Sequence, residues 1–302
     1  MGPAVAISAW ATGGRVASGL DTAQLPDWLE ALPPALLAMT PIQLRHLLAA
    51  LPPRFAPLAR HRVIVAGSLL PPTLAREARL RLTPDVHILY GATETGMIAY
   101  GPAALLDEAP GMVGHVPPGT RVVLRGDGVT PADHGEVMVA GERVAAGYHD
   151  DPAATAERFT DGWFATGDLG RWTADGLLVL EGRADDRLNL GGRKLMPALL
   201  ENAALACDGV LDAAGFAVPD AKGVDSAWLA VVAAPGFDRD ALAAHLAGHP
   251  DLPLPSFAWT EEIPRNAMGK VDRAALRDAV LGALAQRPEG QPPPASQPPP
   301  AS

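Results

Sequence analysis

Four stretches of this chain carry residues whose types and spacing could do chemistry. In Tyr90-Gly91-Ala92-Thr93-Glu94-Thr95-Gly96 a hydroxyl and a carboxylate stand side by side between glycines. Thr93 and Glu94 could hold phosphate oxygens and a hard cation such as Mg2+, and the glycines let a ligand approach the backbone. Tyr90 offers a flat face for a base. A solvated polar turn would use the same residues. In Thr166-Gly167-Asp168 the carboxylate of Asp168 is an acceptor-only group suited to two vicinal ribose hydroxyls, although a Gly-Asp pair in a tight turn reads alike. Arg183, Asp185, Asp186 and Arg187 then place cations and carboxylates close together, and Gly191-Gly192-Arg193-Lys194 follows. These cations could pair with phosphate, or the stretch could be a charged linker between folding units, where hinges are usually found. Lys270, behind Gly269 in a loop opened by Pro264, could be delivered into a closed site and withdrawn. It could equally be a surface lysine.

Composition narrows the classes. The chain has 302 residues, with 48% hydrophobic and 19% charged side chains, enough for two soluble domains with real cores. Its net charge of -10 argues against a general binder of nucleic acid or of anionic membranes. That charge says little about a local phosphate site. The single cysteine, Cys207, excludes an intrachain disulfide and reads as a small buried apolar residue. No stretch approaches the ~20 apolar residues of a membrane span, and the N-terminus lacks a secretory signal, so a cytoplasmic location is expected. The eight histidines show no ligand pattern; His245 and His249 are four apart but lack an acidic companion.

The elements that must position these groups follow in order. Ala35 to Leu51 has helical period and stops at Pro52-Pro53. Arg62 to Ala66 is a β-branched strand. A helix runs from Pro71-Pro72-Thr73 to about Leu82, and Val86 to Tyr90 is a second strand. That alternation predicts a parallel α/β sheet with ligands at the strand ends. From about Gly101 to Gly182 short apolar runs alternate with Gly, Pro and Asp turns, which predicts a small antiparallel sheet or barrel. Pro152 to Phe159 is expected to be helical. After Arg183, helices are expected at Met196–Ala206, Asp238–Gly248 and Ala274–Ala285, with strands at Val210–Val218 and Ala227–Ala233. The fold class is therefore α/β, with a β-barrel-like region, followed by a small α+β domain. The predicted domains are 1–183 (1–100 α/β, 101–183 β-rich) and 184–286, and the proline-rich tail 287–302 is expected to be disordered.

Together, in this order, five segments resemble the adenylate-forming (AMP-binding) superfamily of acyl-CoA synthetases, peptide-synthetase adenylation domains and luciferases. They are Ala66 to Pro71, Tyr90 to Gly96, Gly141 to Phe159, Thr166-Gly167-Asp168 with Gly182 to Gly192, and Pro264 to Lys270. The run Arg183-Ala184-Asp185-Asp186-Arg187-Leu188-Asn189-Leu190-Gly191-Gly192 is most similar to the acyl-CoA synthetase branch. The resemblance implies an AMP-binding domain before Arg183 and a lid domain after it. Gly67, Ser68, Tyr90 and Gly91 would contribute to the nucleotide site, the adenine being bounded by Gly67, Ser68 and Tyr90. Thr93 and Glu94 would meet the phosphates, with Glu94 the Mg2+ ligand. Asp168 would hold the ribose hydroxyls, and Arg183 would touch ribose or phosphate. Asp185 would be the hinge, Gly191 and Gly192 would line the thiol's approach, and Lys270 would bind the carboxylate and the α-phosphate. The implied reaction joins a small carboxylic acid to ATP as acyl-AMP. The acyl group then passes to coenzyme A or to the phosphopantetheine of a carrier protein.

Two departures accompany the resemblance. The family's upstream Ser/Thr/Gly-rich loop ending in lysine is not found; Ala11-Thr12-Gly13-Gly14-Arg15 lacks the lysine. The chain is thus expected to be a C-terminal portion, active alone or with a complementary N-terminal piece. Leu199 stands where the family usually carries an acidic residue, whereas Glu201 fits. A non-catalytic remnant or regulatory subunit that binds nucleotide or a partner is the alternative, and a luciferase-like oxygenase a third.

Overall fold

A computed structural model describes residues 9–18, 24–126, 132–220, 223–266 and 270–285. The proline-rich tail and Gly269 lie outside the described residues. The chain divides into two compact units, Met1–Leu180 and Glu181–Ser302.

The first unit opens with an α/β layer. Strands β1 (Leu36–Met39), β2 (Arg62–Val65), β3 (Val86–Ala92) and β4 (Gly96–Pro102) lie side by side in that order. The first three run parallel and β4 returns antiparallel to β3. Helices α1 (Leu25–Ala31), α2 (Pro41–Ala50) and α3 (Pro72–Arg81) accompany them. Leu44, Leu47 and Leu48 of α2 and Leu74, Ala75 and Ala78 of α3 share one core with Val63, Val65, Val86 and Ile88. Separations of three and four residues within each set put one apolar stripe of each helix into that core.

The sequence expectation of one helix over Ala35–Leu51 needs correction. Leu36–Met39 is a strand, and the helix begins only after Thr40. Thr40 is an extended N-cap whose side chain accepts from the Gln43 N–H, while the Gln43 side chain accepts from the Thr40 N–H. That reciprocal pair, with Pro41 at the first helical position, fixes the start. Thr40→Ala is expected to cost ~1 kcal/mol of stability, read as a lower urea midpoint at unchanged slope; no shift would show that the cap contributes nothing. Buried His61 ties the layer together: its Nδ1 accepts from the Ala35 N–H, which leaves Nε2 to donate to the Leu29 carbonyl.

A β-rich layer completes the unit. It comprises β5 (Met112–Gly114), β6 (Thr120–Arg125), β7 (His134–Gly141), α4 (Pro152–Arg158), β8 (Phe159–Thr160), β9 (Trp163–Trp172) and β10 (Leu178–Arg183). The strand order is β5-β10-β9-β7-β6, with β8 beside β9. β5 and β6 stand at opposite ends of this order, so the expected sheet-or-barrel is an open sheet and not a barrel.

In the second unit, β11 (Leu188–Leu190) and β12 (Arg193–Leu195) form a hairpin; α5 (Pro197–Leu205), β13 (Val210–Pro219), β14 (Asp225–Ala233), α6 (Arg239–Ala247), β15 (Ser256–Trp259) and α7 (Arg273–Ala285) follow. β13 and β14 pair antiparallel, and β15 lies parallel to β14. Along β14, Ala227, Leu229 and Val231 enter one core with Leu200, Leu242 and Leu246. Trp228 and Ala230 enter the other with Phe216, Ile263 and Leu276. Alternate residues go to opposite faces, so a strand buried on both sides reads as one continuous apolar run. The glycine-bearing stretch, for which a charged linker was one of two readings, is ordered locally. β10 ends at Arg183, Ala184–Asp186 is a 3-10 turn, and Gly191-Gly192 is the two-residue tip of the hairpin. Both tip glycines have positive φ, +62° and +97°, the geometry that a tight two-residue hairpin turn demands.

Candidate nucleotide-binding site

In the first unit the candidate residues gather where the parallel strands end, the usual ligand side of such a sheet. Gly67 and Ser68 follow β2, both exposed, and Gly67 has φ +99°. Tyr90 and Gly91 lie near the end of β3, and Thr93 and Glu94 are in the turn to β4. A Cβ on Gly91 would stand 2.2 Å from the Gly96 carbonyl oxygen, so the turn admits only glycine there.

Asp168 comes from the other layer. It lies inside the ten-residue strand β9 and not in a tight Gly-Asp turn. Gly167, at φ +76°, breaks the regular extended run beside a register shift against β7. Thr166 is buried and donates to the Val137 carbonyl, while its Oγ1 accepts from the Asp168 N–H at 3.0 Å. The Gly167 N–H donates to Glu136 Oε1. The strand is therefore pinned on both sides of the irregularity, and Asp168 meets Tyr90, whose hydroxyl donates to Asp168 Oδ2 at 2.7 Å.

A second tyrosine does the same for Glu94. Tyr148 donates its hydroxyl to Glu94 Oε1 at 2.8 Å, and the Ala145 N–H donates to the Glu94 carbonyl at 2.7 Å. Burial, then the hydrogen bond to Glu94, pushes the Tyr148 phenol above its ordinary range, so at neutral pH it stays a donor. The chain has three tyrosines, and two of them each hold one candidate carboxylate. Sequence reasoning gave Tyr148 no role. The signal lay in Gly147-Tyr148 within the stretch Gly141 to Phe159, but contact with Glu94 is invisible without the fold.

In the second unit Arg183 ends β10, and Asp185 is exposed in the 3-10 turn. Gly191 and Gly192 are exposed at the hairpin tip. Lys270 is exposed, and its backbone is clasped by the preceding segment. Arg265 bridges Val271, the Asn266 N–H donates to the Lys270 carbonyl at 2.8 Å, and the Lys270 N–H donates to Asn266 Oδ1 at 3.1 Å. Arg265 in turn donates to both carboxylate oxygens of Asp212, at 3.0 and 2.8 Å. Three residues beyond Lys270, Arg273 donates to Asp186 Oδ2, Glu201 Oε1 and the Gly215 carbonyl. Thus the turn that carries Asp185 and the segment that carries Lys270 share one guanidinium.

Among the described residues no group of three or more His, Cys, Asp or Glu could hold a metal ion. One carboxylate beside a hydroxyl, Glu94 with Thr93, fits a Mg2+ that arrives on phosphates, since that ion keeps few protein ligands. No helix among the described residues is long and apolar enough to cross a membrane.

The family model described as AMP-binding enzyme matches residues 5–149, which include the ends of β2 and β3, Glu94 and Tyr148. The chain belongs to the AMP-binding enzyme family. The sulfoacetate–CoA ligase of Cupriavidus necator is 37% identical over 222 residues, 70% of this chain and 43% of that ligase. The fatty acid–[acyl-carrier-protein] ligase ScoC of Streptomyces coeruleorubidus is 32% identical over 237 residues, 75% of this chain and 46% of that ligase. The solved structure of the amide bond synthetase McbA of Marinactinospora thermotolerans aligns with a TM-score of 0.77 at 26% identity, over 86% of this chain and 56% of that one. The chain spans about half the length of these relatives.

Proposed function

We propose that this chain carries out, alone or with a complementary N-terminal piece, the ATP-dependent activation of a carboxylic acid to acyl-AMP and its transfer to a thiol. The observation that carries this reading is the pair of tyrosine-held carboxylates, Asp168 and Glu94, at the end of the parallel sheet. A free carboxylate is a poor acyl donor. Its attack on the α-phosphate of ATP gives a mixed anhydride and releases pyrophosphate, and negative charge grows on the phosphate oxygens. Asp168 accepts from the ribose hydroxyls and so fixes the nucleotide. Tyr90, Gly67 and Ser68 bound the base, and Gly91 lets the ligand approach the backbone. Thr93 and Glu94 face the phosphates, and Arg183 supplies a further cation for ribose or phosphate. A bound Mg2+ would screen that charge as a Lewis acid. Lys270 supplies the cation for the attacking carboxylate and the α-phosphate, and Asp185 is the pivot that allows Gly191 and Gly192 to line the thiol's approach in the second half-reaction. Relatives that use coenzyme A and a carrier protein support a thiol acceptor of one of these two kinds.

The test is acid-dependent pyrophosphate release from ATP and Mg2+, with hydroxylamine as the trap. The panel comprises short, medium and long fatty acids, aryl acids, sulfonated acids and amino acids. Release with one acid class is expected. Asp168→Ala should raise the KM for ATP ~10- to 100-fold, since each lost hydrogen bond to a charged acceptor costs about 1.5–3 kcal/mol. Folded protein that releases no pyrophosphate with any acid would overturn activity of this chain alone. Release restored by a supplied N-terminal piece would retain the two-piece form of the proposal.

A further inference from the structure

Glu94 receives two restraints from a segment more than fifty residues away in sequence. The Ala145 N–H holds its main chain, and the Tyr148 hydroxyl holds its Oε1. Tyr148 is itself fixed from several sides. Its N–H donates to Thr155 Oγ1 at 2.9 Å, and Thr155 Oγ1 donates to the Asp151 carbonyl at 2.7 Å. Asp151 caps α4 by accepting from the Ala154 N–H. The Tyr148 ring meets Phe159 edge to face, with centroids 5.4 Å apart at 80°. A Cβ on Gly147 would lie 2.6 Å from Thr155 Cγ2, so only glycine lets the chain come this close. The run from Gly147 to Thr155 is thus built to hold one phenol in one place, although Tyr148 remains 36% exposed. An ordinary surface tyrosine needs no such support.

A carboxylate that must meet a cation faces an orientation cost, because its two oxygens rotate freely about the last bond. A donor on one oxygen removes that freedom and leaves the other for the ion. This is how outer-shell partners act on metal-binding carboxylates. We infer that Tyr148 is the positioning residue for Glu94, presenting its carboxylate to a divalent cation carried on a nucleotide's phosphates. The inference rests on the role proposed for Glu94 and adds the residue that makes that role effective. It also assigns a purpose to the Gly147–Thr155 run.

The test compares the chain with its Tyr148→Phe and Glu94→Gln variants, each checked for an unchanged urea midpoint. Calorimetry measures the Kd of a non-hydrolysable ATP analogue with and without Mg2+, so the readout is the gain in affinity that the metal confers. Tyr148→Phe is expected to cut that gain ~10-fold or more, and Glu94→Gln to cut it at least as far. In turnover, Tyr148→Phe should raise the Mg2+ concentration needed for half-maximal rate, with much of the rate recovered at excess Mg2+. A merely structural role would lower the rate without moving the metal dependence. If Glu94→Gln loses the gain and Tyr148→Phe keeps it, the inference is overturned and the proposed function stands. If neither variant changes it, the role of Glu94 is wrong, and the inference falls with it. Failure of the unsubstituted chain to bind the analogue would overturn nucleotide binding itself.

Discussion

On the proposed reaction, replacing Lys270 with alanine will slow acid-dependent pyrophosphate release ~10²–10³-fold, the usual loss when one preorganised charge is taken from a transition state. The attacking carboxylate and the α-phosphate are both anionic, so their approach costs Coulomb energy that a nearby ammonium offsets. Because the charge grows as the bond forms, the effect falls on kcat more than on nucleotide binding. The Kd of the ATP analogue should therefore change little in Lys270→Ala. Lys270→Arg should restore only part of the rate, since a planar guanidinium does not replace a compact ammonium. The clasp from Arg265 and Asn266 explains how an exposed lysine can act at a defined place: its main chain is held on both N–H and carbonyl sides. A Lys270→Ala variant as fast as the parent would remove Lys270 from the mechanism.

The second large effect concerns stability. Arg273→Ala is expected to destabilise the second unit by up to ~3 kcal/mol, the low end of the range for breaking one partner of a buried ion pair, because this pair is only half-buried. Arg273 and Glu201 side chains are 23% and 18% exposed, and their bond is 2.8 Å. The same guanidinium reaches Asp186 at 3.3 Å and the Gly215 carbonyl at 3.0 Å. Its loss leaves the Glu201 carboxylate with the Gly215 N–H but no cation. Burial already pushes the Glu201 carboxyl upward, opposed chiefly by the Arg273 charge. Without Arg273 the folded-state pKa rises further above the unfolded value. Between those two values the folded chain binds more protons, so stability falls as pH rises. The deficit of Arg273→Ala relative to the parent should therefore be smaller near pH 5 than near pH 8. Adding Glu201→Gln to Arg273→Ala should recover part of the loss at pH 8 by removing the stranded charge. Urea unfolding of the parent, Arg273→Ala, Glu201→Gln and the double variant at both pH values measures this, and additive effects would show that the pair is not coupled.

How far the sequence could be read depended on whether the decisive interaction was local. The β2–α3–β3 alternation was legible because β-branched runs and a Pro-Pro start are local signals. The opening strand β1 was not, because Leu36, Leu37 and Met39 continue the period of α2 and only the Thr40 cap separates them. β15 was missed because Ser256–Trp259 is four residues long and stands behind Pro253 and Pro255. Asp168 could be picked out as a carboxylate after a glycine. Its place within a strand could not, since the irregularity at Gly167 is fixed by Glu136 and Val137 on the neighbouring strand. Candidate ligand groups were visible by residue type, whereas the tyrosines that hold two of them act across distances no motif spans. The Gly182–Lys194 stretch fitted either a phosphate-pairing hinge or a charged linker because glycine and charge dominate it; a two-residue glycine turn needs that composition as much as a linker does.

The two tyrosine–carboxylate pairs join residues 78 and 54 positions apart. A ribosome adds about 5–20 residues per second. Tyr90 and Glu94 must therefore wait roughly 3 to 16 s after their own synthesis before Tyr148 and Asp168 exist. Through that interval the nascent α/β layer carries one member of each pair and neither finished pair. On the proposed function, nucleotide would gain nothing from these pairs until the β-rich layer has followed, with the Glu94 pair completed before the Asp168 pair.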